Sequence, residues 1–202
     1  MKLTVVKSCL IGLLAILPHS VVAADPDPSL KVVIVRHGEK PPKKDDNGNA
    51  VKDNGNLSCA GLNRSLKLPD VIVQKYGVPN HIYAPKLDTG SSTGHARMFQ
   101  TASPLAALYN LKINTTFEED DTDDAATVVK SKKKLVLMVW EHSQIPALAK
   151  SLEPNGAPTT WDDKDFDSIW ILDYSSGKGV WSTDKEGIDP TKNPIIPCPS
   201  TK

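Results

Sequence analysis

Two short runs constrain this chain more than anything else in it: Lys31-Val-Val-Ile-Val-Arg36 and Leu135-Val-Leu-Met-Val-Trp140. Both are continuous, apolar and rich in β-branched residues. A strand with one wet face alternates apolar and polar residues, and these do not, so each is expected to be covered on both faces. Helical patterns lie between and after them. Ser58 is placed to cap a helix through about Lys67, and Pro69 suits the first turn of a second helical piece ending near Gly77. Phe99, Ala102, Leu105, Ala106 and Tyr109 recur at helical spacing within Ala96 to Tyr109. A short helix toward Lys130 follows the acidic stretch Glu118 to Asp124, and Ser143 is a candidate cap for a helix from Gln144 to Leu152. His81 to Ala84 and Ile113 to Phe117 read as further strands. Asp167 to Tyr174 and Val180 to Thr183, flanking Ser175-Ser-Gly-Lys-Gly179, read as a hairpin. Alternating strands and helices predict an α/β three-layer sandwich: a mainly parallel sheet, helices on both faces and an antiparallel edge hairpin.

The chain has 202 residues, room for one domain with a real core. Lys plus Arg equals Asp plus Glu at 24 each, which removes the electrostatic case for a nucleic-acid or anionic-membrane binder. Lys2 and Lys7 precede the apolar run Cys9 to Leu17, and Pro18 breaks it before the small residues Val22, Ala23 and Ala24. These are the parts of a secretory signal peptide over residues 1–24, leaving a domain of residues 25–202 with no stable membrane anchor, periplasmic or secreted. In an oxidising compartment Cys59 and Cys198 are the remaining pair, and a disulfide between them is expected; a buried thiol at Cys59 and a frayed tail carrying Cys198 is the alternative. The cysteines lack the CxxC spacing of structural zinc sites.

Sites in open α/β sheets form beyond the carboxyl ends of the strands. The two apolar runs end in Arg36-His37-Gly38-Glu39 and Glu141-His142-Ser143, so each delivers a histidine there. Arg97, near the start of the intervening helix, adds a second guanidinium. Two arginines, two histidines and a helix N-terminus suit a phosphate dianion. Arginines neutralise such a ligand without a metal or cofactor, and a zinc set of His37, Glu39, Glu141 and His142 matches no spaced ligand motif. Gly90-Ser-Ser-Thr-Gly94 lacks the spacing and lysine of a phosphate-binding P-loop. His81 and His95 belong to no motif and read as structural.

In these segments the chain resembles the histidine phosphatase superfamily, also called phosphoglycerate mutase-like. The resemblance runs through Arg36-His37-Gly38, Leu57-Ser58-Cys59-Ala60-Gly61-Leu62-Asn63-Arg64, Ala96-Arg97-Met98-Phe99-Gln100-Thr101-Ala102 and Trp140-Glu141-His142, and more weakly through Phe166 to Leu172. It implies that His37 is a nucleophile that becomes transiently phosphorylated, with Arg36, Arg97 and His142 binding the phosphoryl oxygens. It also implies a general acid. Many relatives carry glycine before the second histidine, where this chain has Glu141; Glu141 is the leading candidate because it leaves the same strand end as His142, and Asp121, Asp123 and Asp124 of the acidic stretch, the segment from which other relatives take their acid, are its rivals. The expected activity is that of an exported phosphomonoesterase of the histidine acid phosphatase type acting on a small phosphorylated substrate. A phosphomutase or phosphotransferase on the same site, or a catalytically silent phosphate-ligand-binding protein, are the alternatives. Substrate-selecting residues are expected in Pro41 to Asn56, in Leu87 to Gly94 and after Leu152.

Overall fold

A computed structural model describes residues 25–45, 47–89 and 93–199. The leader expected at residues 1–24, and Gly90, Ser91 and Ser92 of the glycine-bearing loop, lie outside them. The elements run β1 (Lys31–Arg36), α1 (Cys59–Tyr76), β2 (His81–Tyr83), β3 (Asp88–Thr89), β4 (Thr93–Gly94), α2 (Ala96–Leu108), β5 (Ile113–Asn114), α3 (Thr122–Lys130), β6 (Leu135–Trp140), α4 (Ile145–Leu152), β7 (Ser168–Asp173) and β8 (Val180–Lys185). Six strands form one sheet in the order β5-β2-β6-β1-β7-β8, while β3 and β4 make a separate small ribbon. The pairs β5–β2, β2–β6 and β6–β1 are parallel; β1–β7 and β7–β8 are antiparallel.

The two apolar runs are the central neighbours β1 and β6, and side-chain alternation divides them between two cores. Val32 and Ile34 join Val136 and Met138 against Ala125, Ala126 and Val129 of α3 and Ile145, Leu148 and Leu152 of α4. Val33 and Val35 join Leu137 and Val139 against Leu68 and Ile72 of α1 and Met98, Ala102 and Leu105 of α2. Helices thus cover both faces, as a continuous apolar run requires. Tryptophans 140, 161 and 170 are packing residues of the first core.

Three local expectations change. The two helical pieces expected around Pro69 are one helix: Ser58 caps it, its hydroxyl accepting from Gly61 N at 3.0 Å, and it runs on through Pro69. Burial of Leu68, Pro69 and Ile72 against the sheet outweighs the roughly 3 kcal/mol that an interior proline costs. Ser143 does not cap α4. The Glu141 carbonyl accepts from both Gln144 N (3.0 Å) and Ile145 N (3.1 Å), so a backbone turn starts that helix without a side-chain cap. The strand expected over Ile113 to Phe117 shortens to β5, because the Asn114 side chain accepts from Thr116 N at 3.0 Å and turns the chain away.

Cys59, the first residue of α1, is bonded to Cys198. Asn63, one turn further on, pairs with the backbone of Ile196 through its oxygen and its amide, both at 3.0 Å, so this buried polar side chain is satisfied by the same tail.

Candidate active site

The sheet register builds the site. Arg36 of β1 stands opposite Trp140 of the parallel strand β6, so the next residues of both strands leave the sheet side by side. The His37 amide continues the ladder, donating to the Trp140 carbonyl at 3.1 Å. His37, Glu141 and His142 then meet, one ligand-type atom of each lying within 4.8 Å of the others.

The chain can turn at this point because Gly38 lies against Gly61 of α1. A Cβ on Gly38 would stand 2.7 Å from the Gly61 carbonyl oxygen, and one on Gly61 would stand 2.7 Å from the Glu39 nitrogen. Ser58 N donates to the Glu39 carbonyl (2.9 Å), and Gly38 N donates to the Thr101 hydroxyl (3.0 Å), whose own proton goes to the Arg97 carbonyl (2.8 Å). Both α1 and α2 are thereby fastened to the turn that carries His37.

His37 is fully buried. Its Nδ1 donates to the Gly38 carbonyl (2.6 Å), which turns Nε2 toward Glu141 Oε2, also at 2.6 Å. His142 is held from outside as well: its Nε2 lies 2.9 Å from Asp163 Oδ1, while its buried Nδ1 sits 2.5 Å from Glu141 Oε1 without meeting hydrogen-bond geometry. Lys40 Nζ is 3.4 Å from the same oxygen. Arg36 donates through Nη1 to the carbonyls of Asp163 (2.7 Å) and Asp165 (3.1 Å), and its guanidinium lies 3.9 Å over the Phe166 ring. Its Nε is buried without a partner.

Burial, reinforced by the charge of Arg36, draws the His37 imidazole below its ordinary pKa, against the pull of Glu141. Burial works on Glu141 in the opposite direction, but the hydrogen bond and charge of His37, with Lys40 and His142 beyond, bring its carboxyl down to about 2. Glu141 is therefore the ionised member of the pair, and the buried imidazole holds its second proton less firmly than an ordinary histidine.

Arg97 and Glu39 are engaged by other partners. Arg97, buried in the first turn of α2, donates to the Asn56 carbonyl (3.0 Å) and pairs with Asp53, so it is engaged by the loop after His37. Glu39 is not available to the four-residue zinc set weighed from sequence: it pairs with Arg64 (2.8 Å), which also holds the buried Glu186 (2.6 Å). Asp121 accepts from Glu118 N (3.0 Å), Asp123 accepts from the Ser151 hydroxyl, and Asp124 is exposed in the first turn of α3, whereas Glu141 touches His37 directly. His95 is exposed at the start of α2.

Sequence reasoning did not single out Asp53, Asp163 and Phe166 as site neighbours. The last two precede β7, which pairs antiparallel with β1 and so begins where β1 ends; that pairing, with the weaker resemblance that begins at Phe166, was the signal available.

No family model and no curated protein sequence matches the chain. Solved structures do. A phosphoserine phosphatase mutant from Entamoeba histolytica in complex with phosphoserine superposes with a TM-score of 0.51 at 12% identity, covering 80% of this chain and 98% of that one. The same enzyme with 3-phosphoglyceric acid gives 0.50 at 13% identity over 79% and 98%. A protein from Nakamurella multipartitia assigned as the phosphohistidine phosphatase SixA gives 0.50 at 15% identity over 85% and 100%. With a central parallel sheet and helices on both faces, the chain shares the fold of these phosphatases, the fold that its resemblance to the histidine phosphatase superfamily implies.

Proposed function

We propose that this protein is an exported phosphomonoesterase that hydrolyses small phosphate esters through a phosphohistidine on His37. The observation that carries this reading is the His37 environment: an imidazole fully buried, fixed through Nδ1 by a carbonyl, with Nε2 held 2.6 Å from a carboxylate. A nitrogen nucleophile needs its lone pair free and its ring oriented, and those contacts supply the orientation.

Catalysis requires one proton in the His37–Glu141 pair. When a phosphoryl group enters, its negative charge favours the protonated carboxyl, so the proton settles on Glu141 Oε2 and the Nε2 lone pair is released. Nε2 attacks phosphorus as the bond to the ester oxygen breaks, and Glu141 gives its proton to that oxygen. In the second half, Glu141 takes a proton from water as the water oxygen attacks phosphorus, and Nε2 leaves. Arg36 and His142 border the same space and stabilise the charge on the phosphoryl oxygens. Arg97 joins them once the substrate displaces Asp53. Glu141 serves as acid in preference to Asp121, Asp123 or Asp124 because it alone among them contacts the nucleophile. Export is supported by the leader-like residues 1–24.

A screen of the purified protein against varied phosphomonoesters tests the reading, with His37→Ala as control. Release of inorganic phosphate by the wild type and not by the variant supports it. Equal release by both, or none from any ester, overturns it.

A further inference from the structure

The His37–Glu141–His142 cluster holds more electron-pair donors than positive charge to match them. His37 Nδ1 gives its proton to the Gly38 carbonyl, so in the neutral ring Nε2 presents a lone pair to Glu141 Oε2 at 2.6 Å. His142 repeats the pattern with its nitrogens exchanged: Nε2 donates to the Asp163 carboxylate, and Nδ1 faces Glu141 Oε1 at 2.5 Å, buried and without a hydrogen bond. Two lone pairs thus converge on one carboxylate, and lone pairs facing an anion repel. One proton relieves the His37 side alone. A divalent cation relieves both.

We propose that this cluster binds a divalent first-row transition ion, zinc fitting best, through His37 Nε2, Glu141 and His142 Nδ1. Two imidazoles and a carboxylate are an established zinc donor set that leaves a coordination position open. The outer contacts match what metal-binding histidines need: each ring has its far nitrogen fixed by an acceptor, a carbonyl for His37 and a carboxylate for His142. Donor atoms around zinc stand roughly 3.3 Å apart, given metal–ligand distances of about 2.0–2.1 Å. Glu141 must therefore draw back by roughly 0.7–0.8 Å from each ring. Lys40 opposes the ion, but it ends in a half-exposed ammonium 3.4 Å away on a flexible stem.

The ion would occupy the lone pair that the nucleophile needs. On the proposed function, zinc is therefore an inhibitor competing with phosphate esters, and removing it activates the enzyme. Metal binding itself does not rest on that reading.

Chelator-stripped protein is titrated with zinc against a chromophoric chelator. The expected result is one equivalent bound, with His37→Ala and His142→Ala each weakening it at least tenfold and Asp163→Asn weakening it about 10–100-fold. Because a variant that fails to fold would also lose zinc, the wild type is also followed by imidazole 15N NMR. Zinc should move the signals of His37 and His142 and leave those of His81 and His95 in place. Absence of stoichiometric binding, binding that survives both alanine variants, or shifts confined to other histidines would overturn the proposal. A protein that binds zinc in this way yet turns over no phosphate ester would instead overturn the proposed function alone.

Discussion

Gly61→Ala separates two opposed effects whose sizes are known. Within a helix, alanine in place of glycine is worth about 1 kcal/mol of added stability. At this position the new methyl would lie 2.7 Å from the Glu39 nitrogen and 3.1 Å from the Gly38 carbonyl carbon, both backbone atoms that cannot rotate aside. Overpacking of this kind costs about 1–3 kcal/mol, and an immovable obstacle places it toward the upper end. The net expectation is a loss of about 1–2 kcal/mol, which lowers the melting temperature by about 2–8 °C for a chain of this size. The larger effect falls on the turn carrying His37. The helix and the turn are already joined by Ser58 N to the Glu39 carbonyl, so relief must come from shifting Gly38 and Glu39 relative to the rest of the site. Displacements near 1 Å cost about a hundredfold in rate. Thermal unfolding and steady-state kinetics of the variant check both halves. A variant more stable than wild type with full turnover would refute the claim that this contact positions the nucleophile.

Glu141→Gln removes the carboxyl that carries the proton, and turnover of esters with poor leaving groups should fall by about 10²–10⁴, with a smaller loss on nitrophenyl phosphate. In the wild type, kcat/KM should decline as pH rises through the pair's pKa, which burial and Arg36 place below an ordinary imidazole, with Lys40, His142 and Asp163 the other titratable groups around it; the glutamine variant should lose that limb. Glu186 makes a separate pH prediction. Burial outweighs Arg64 and pushes its carboxyl from 4.5 up to about 8, with Asp167 and Glu39 adding to the rise. The folded state therefore holds a proton that the unfolded chain releases, and its contribution is complete below pH 4.5 and lost as pH rises through about 8. Urea midpoints should fall between pH 5 and pH 9, and fall less in Glu186→Gln. Reducing the Cys59–Cys198 bond frees a loop spanning 139 residues and should cost about 2–5 kcal/mol, visible as a lower melting temperature in reductant.

The fold was legible because its two central strands run apolar without a break from Val32 to Val35 and from Leu135 to Trp140, and a pattern with no wet face admits few architectures. The site was legible as far as those strands reach: His37 and His142 follow directly from the ends of β1 and β6, and Glu141 comes with its neighbour. Arg97 was visible as a residue, but its present partners were not, since Asp53 lies in a loop whose path no periodicity encodes. Asp163 and Phe166 were hidden for a related reason. They matter through an antiparallel pairing of β7 with β1, and pairing between distant strands leaves no mark on local sequence. Proline gave the wrong break at residue 69, because burial against the sheet decides what propensity only biases.

The proposed chemistry depends on His37 accepting the phosphoryl group. Protein treated with chelator, mixed with a labelled phosphate ester and quenched within the first turnover, tests it directly. An acid-labile, base-stable label is expected on the peptide containing residue 37, decaying to inorganic phosphate when the reaction is allowed to proceed. Phosphate release with no label on that peptide, or with label elsewhere, would contradict it.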